Sequence, residues 1–75
     1  MSLEGGEIIM TLKLERVRKK ITQGELSELS GVSITTISRI EKWGIIKADV
    51  KISNLVKLAK ALDIPVEELI KEEEV

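Results

Sequence analysis

The chain has 75 residues, no cysteine, no histidine, one proline and one aromatic residue, Trp43. That length suits one domain with an aliphatic core, near the lower limit for folding without staples, and it excludes disulfides and the usual zinc ligand sets. Twelve basic residues against 13 acidic ones give a net charge of −1, no apolar run approaches the ~20 residues that cross a bilayer, and the first ten residues lack a signal-peptide pattern, so the sequence predicts a small cytoplasmic domain.

Residues 1–9 read as a disordered or cloning-derived lead ending near Gly5-Gly6, with Ile8 and Ile9 too short a run to assign. The domain is expected over residues 10–71, followed by an acidic tail at 72–75. Leu12 to Lys19 reads as a helix with Leu14 and Val17 on one side and Arg16, Lys19 and Lys20 on another. Thr22-Gln23-Gly24-Glu25 is a capping box, in which hydroxyl and carboxylate each satisfy an orphan backbone amide. The helix it opens is expected to turn Leu26 and Leu29 inward and to stop at Gly31, a residue suited to the left-handed conformation of a helix end. Ser33 is a good N-cap for a third helix over Ile34 to about Lys42, with Ile37 and Ile40 toward the core. Residues 43–50, Trp-Gly-Ile-Ile-Lys-Ala-Asp-Val, are expected to form a loop. A fourth helix over about Ile52 to Leu62 places Ile52, Leu55, Leu58, Ala59 and Leu62 at helical spacing. A last one, from about Pro65 to Lys71, turns Val66, Leu69 and Ile70 inward, with Glu67 and Glu68 at its positive end. Five short helices and no strand pattern give an all-α domain.

The near-zero net charge is misleading, because the charges are segregated. Residues 8–66 hold eleven basic and six acidic residues, while the glutamates crowd both ends. A basic body with acidic ends fits a nucleic-acid-binding domain.

Two short helices joined by a tight glycine turn are the sequence form of a helix-turn-helix. The run Thr22-Gln-Gly-Glu-Leu-Ser-Glu-Leu-Ser-Gly31-Val-Ser-Ile-Thr-Thr-Ile-Ser-Arg-Ile-Glu41, with Leu55-Val-Lys-Leu-Ala-Lys-Ala-Leu62 and Val66-Glu-Glu-Leu69, resembles the lambda-repressor-like (Cro/repressor, XRE-type) family of DNA-binding domains. The resemblance covers about Leu12 to Ile70 and implies a compact five-helix domain whose second and third helices form the helix-turn-helix. It implies that Ser33, Ile34, Thr35, Ser38 and Arg39 face the major groove, with Arg39 suited to bidentate contact with a guanine. Ile34, where relatives often have a polar residue, either meets a thymine methyl or tucks against the fold. Gln23 matches a phosphate-contacting glutamine at a helix N-terminus; Thr22, Thr36, Lys42, Lys47 and Lys51 are further phosphate candidates. Arg16 and Glu41 match positions paired in a salt bridge that fixes the tilt of the recognition helix.

The stretch after Glu41 departs from the family pattern, being about one residue longer and lacking a proline. Trp43, Ile45 and Ile46 are too apolar for an ordinary solvent loop, and either fold back onto the core or meet a second subunit. With Val66 and Ile70 they are the candidate dimer surface, since relatives bind palindromic operators as two-fold dimers. The resulting reading is a transcriptional regulator of the repressor kind, whose partners are double-stranded DNA and a second copy of itself, with no membrane and no cofactor. The alternative is a protein-interaction module of the same fold, antitoxin-like or an adaptor, with weak or no DNA binding. Without His, Cys or Tyr an enzyme is not expected.

Overall fold

The computed structural model describes residues 11–70, apart from the side chain of Ile46. The expected lead with Ile8 and Ile9, Lys71 and the acidic tail lie outside the described residues. Five helices follow in order: α1 Thr11–Arg18, α2 Gln23–Ser30, α3 Ile34–Ala48, α4 Ile52–Leu62 and α5 Val66–Ile70, with no strand among the described residues.

The core is aliphatic, as a chain with one aromatic residue requires. Leu12, Leu26, Ile37, Ile40, Leu58, Leu62 and Leu69 are almost fully buried, and Val32, Ile45, Ala48, Leu55 and Ala59 complete the cluster. Helix α4 supplies Leu55, Leu58, Ala59 and Leu62, a spacing that puts all four on one stripe. It is the central post: α2 and α5 both pack against it, α2 also packs on α3, and α1 lies across α3 and α5.

Which apolar residues turn inward differs from the expectation in the short helices. Helix α1 buries Leu12, leaving Leu14 and Val17 about half exposed, and α2 buries Leu26 while Leu29 stays out. Each of these helices is only eight residues long, so it offers the core little more than one position. In α1 the inward face one turn on from Leu12 is occupied by Arg16. Ile52, in the first turn of α4, and Ile70, expected to turn inward on α5, are also exposed.

The expected loop over residues 43–50 is largely helical. Helix α3 consists of two segments joined across a kink at Gly44, which has φ 89° and ψ 164°. That region is essentially restricted to glycine, so Trp43 ends the first segment whatever its neighbours prefer. The chain turns there and resumes a helix because Ile45 and Ala48, three apart, both reach the core. The segment closes on Asp49, at φ 55°, with the amide of Val50 donating to the carbonyl of Ile45 at 3.4 Å. The same left-handed closure ends α1 at Lys20 and α4 at Asp63.

Candidate nucleic-acid interface

Helices α2 and α3 are set by local chemistry at both ends of their connection. The Thr22 hydroxyl accepts from the amide of Glu25 at 3.0 Å, and the amide of Thr22 donates to the Glu25 carboxylate at 2.8 Å. Gly31, at φ 82°, closes α2 by donating its amide to the carbonyl of Ser27. The Ser27 hydroxyl then donates to the carbonyl of Val32 at 2.7 Å, so the turn is held from inside. Ser33 opens α3: its hydroxyl accepts from the amide of Thr36 at 3.1 Å and donates to the Thr36 hydroxyl at 3.0 Å.

The orientation of α3 is fixed by a polar network centred on one carboxylate. Arg16 of α1 grips Glu41 of α3 with two parallel bonds, Nε to Oε2 at 2.7 Å and Nη2 to Oε1 at 3.0 Å. Its remaining Nη1 donates to the carbonyl of Ile21 at 2.8 Å. Gln23 of α2 donates Nε2 to the same Glu41 Oε1 at 3.0 Å. Three helices thus meet at Glu41, and the two charged side chains are only 12% and 6% exposed. The hydrogen bond to Glu41 raises the pKa of Arg16 above its ordinary value, outweighing the opposing effect of burial, and direct charge attraction adds to it.

One N–H of the Gln23 side chain is therefore committed to Glu41. Its second N–H, with the backbone amides of Gln23 and Gly24 in the first turn of α2, stays available to an anion, since Glu25 and Leu26 both donate to Thr22.

A helix-turn-helix family model matches residues 12–69. The chain belongs to the XRE/lambda-repressor-like helix-turn-helix family. No curated protein and no solved structure matches it. The described helices, their order and the absence of a strand among them all agree with this fold, and none is long and apolar enough to cross a membrane.

In this helix-turn-helix protein Ser33, Ile34, Thr35, Ser38 and Arg39 are all exposed along α3, opposite the buried Ile37 and Ile40. Ile34 leans on α2 and stays partly open to solvent. Its Cδ1 lies 4.0 Å from where a Cβ on Gly24 of α2 would stand, yet nearly half of the residue remains exposed. Thr36 is half-buried, and Thr22, Lys42, Lys47 and Lys51 are exposed. Trp43, at the end of the first α3 segment, is 44% exposed, and its ring centroid lies 5.9 Å from the Arg39 guanidinium carbon and 5.5 Å from the Lys42 ammonium. Ile45 is a core residue that also lines the apolar groove beside the Asp49-Val50 turn.

The structure also gathers residues that sequence reasoning missed. A polar cleft of about 440 Å³ runs between α3 and the start of α4, lined by Thr36 and Arg39 on one side and by Lys51, Ser53, Asn54 and Lys57 on the other. Lys51 caps α4 with its backbone alone and no side-chain bond, and the cleft gathers three cationic side chains, Arg39, Lys51 and Lys57, with one acidic residue, Asp49. The signal was present in the sequence: Lys57 follows Ser53 by four residues and Asn54 by three, which puts them on one helix face.

Proposed function

We propose that this protein is a sequence-specific double-stranded DNA-binding regulator of transcription, a repressor acting in the cytoplasm, that reads the major groove with the first segment of α3. The observation that carries this reading is the exposed face of Thr35, Ser38, Arg39 and Lys42 on a helix whose tilt two side chains from other helices, Arg16 and Gln23, fix at Glu41. Affinity comes from phosphates and specificity from base edges. In this reading Arg39 supplies a guanine contact, and Thr35 and Ser38 bond bases or phosphates. The first-turn amides of α2 and the cleft lysines Lys51 and Lys57 hold the backbone on either side of α3, with Lys42 and Lys47 adding charge.

A second copy fits the opposite side of the Asp49-Val50 turn. There a mostly apolar groove of about 350 Å³ is bordered by Ile45, Asp49, Val50, Ile52, Leu55 and Ile70, of which Ile52 is 68% and Ile70 47% exposed. Association through this groove leaves α3 open, and in the dimer Val66 and Trp43 take at most a rim position. Two α3 helices about 34 Å apart then address a palindromic operator.

Selection of bound fragments from random duplex DNA, followed by affinity measurement across salt concentrations, tests the reading. A palindromic consensus is expected, with log K falling steeply against log salt at about −0.9 for each phosphate neutralised. Arg39→Ala is expected to cost about 1–3 kcal/mol on the selected duplex and much less on a scrambled one. Affinity that is flat with salt, or selection without enrichment, leaves the protein-interaction module as the answer.

A further inference from the structure

We propose that Trp43 is a positioning residue for sequence readout, holding the guanidinium of Arg39 by its face so that its edge is presented to a base. The inference rests on the DNA-binding reading above and adds a residue whose role neither the family nor the fold assigns.

Trp43 lies four residues after Arg39 on the first segment of α3, so the two side chains are neighbours on one helix face. The glycine-only conformation of Gly44 ends that segment immediately after Trp43 and holds the indole at its tip. As the one aromatic side chain in the sequence, left 44% exposed with a cation 5.9 Å and another 5.5 Å from its centroid, it is placed as a platform rather than as core. A ring quadrupole attracts a cation over its face.

The consequence differs for the two cations. A guanidinium is planar and weakly hydrated: it stacks with its face and donates hydrogen bonds in its plane. Held over the Trp43 face, its carbon 5.9 Å from the centroid, the guanidinium keeps free the N–H edge that a bidentate guanine contact needs, and gives up beforehand rotamers that an exposed arginine would otherwise lose on binding. An ammonium has no such division between face and edge. For Lys42 the ring adds local attraction without direction, which suits a phosphate contact that carries no sequence information.

A double-mutant cycle with the full chain tests the proposal, using the duplex enriched by selection and a scrambled duplex of equal length and composition. Trp43→Leu is expected to weaken binding to the selected duplex by roughly two- to fivefold, the worth of one exposed cation–π contact, and to leave the scrambled duplex unchanged. In an Arg39→Ala background the same change is expected to have no further effect. Trp43→Phe, which keeps a quadrupole, is expected to recover most of the loss. In the free protein, Arg39→Ala is expected to alter the Trp43 emission, a measurement that needs neither DNA nor a variant at Trp43.

Equal losses on both duplexes, an undiminished loss without Arg39, failure of Trp43→Phe to rescue, or emission indifferent to Arg39 each overturn the positioning role while DNA binding stands. A wild-type chain that binds no duplex overturns the DNA-binding reading, and this role with it.

Discussion

Replacing Arg16 by methionine isolates the junction at Glu41, because methionine keeps most of the apolar stem and removes only the charged fork. The variant loses two bonds to Glu41 and one to the Ile21 carbonyl, and leaves a carboxylate that is 6% exposed with the Gln23 amide as its remaining partner in the junction. Removing one member of a fully buried pair costs about 3–5 kcal/mol. In a domain this small the vacated space lies close to water, which lowers the expectation to about 2–3 kcal/mol. Each kcal/mol moves the midpoint of such a domain by about 4–8 °C, so melting followed by circular dichroism should show Tm falling by about 10–20 °C. Arg16→Met combined with Glu41→Leu removes the stranded charge as well, and should regain most of that loss. Because the folded pKa of Arg16 is raised, its contribution is complete below the unfolded-state value and fades only as pH climbs through the folded one, beyond the working range. The Arg16 contribution should therefore be constant from about pH 6 to pH 10. A single variant melting within about 2 °C of wild type, or a double variant showing the simple sum of two losses, would refute the coupling.

The two glycines of the helix-turn-helix should respond with opposite signs. Gly31→Ala should lose about 1 kcal/mol from its left-handed backbone alone, since a Cβ there meets nothing within 4 Å, whereas Gly24→Ala, whose Cβ finds only ordinary contacts, should gain up to about 1 kcal/mol in the same urea titrations. Ile52→Glu and Ile70→Glu should each give a folded monomer by light scattering at high protein concentration, with operator affinity lost. A dimer formed through the groove should tighten with salt, because Asp49 lines it and would face like charge from the second copy. Lys51→Ala and Lys57→Ala should each reduce the salt slope by about 1 and weaken selected and scrambled duplexes alike.

What could be read in the sequence was what is decided locally. The capping box at Thr22, the left-handed closure at Gly31 and the Ser33 cap depend on residues within three positions of one another, and all stand as expected. The stripe of α4 was legible because eleven residues give the period room to repeat, although Ile52 at its start was misplaced. The inward faces of α1 and α2 were not legible, since eight residues hold too few turns to separate Leu12 from Leu14 or Leu26 from Leu29. The pairing of Arg16 with Glu41 came through likeness to a family; nothing within either helix announces it. The segment after Gly44 was hidden for a different reason. A glycine and two isoleucines look like a loop until Ile45 and Ala48 find the core, which is a tertiary fact. The cleft beside Arg39 needs two helices brought together, so Ser53, Asn54 and Lys57 escaped notice.

On α3, the residues that hold the fold and those that face outward do not overlap. Ile37 and Ile40 carry the packing and Glu41 the tilt, while Thr35, Ser38 and Arg39 are exposed and make no contact that the domain needs in order to fold. Exposed substitutions of this sort usually change stability by less than about 0.5 kcal/mol. Mutation can therefore wander freely over the outer face, and under the proposed function a lineage would exchange one operator for another without passing through an unstable ancestor. Arg39 is tethered more tightly than its neighbours. With Trp43 as its platform, a new side chain at 39 inherits a ring placed for a planar cation, so the two positions are expected to drift as a pair while 35 and 38 drift alone.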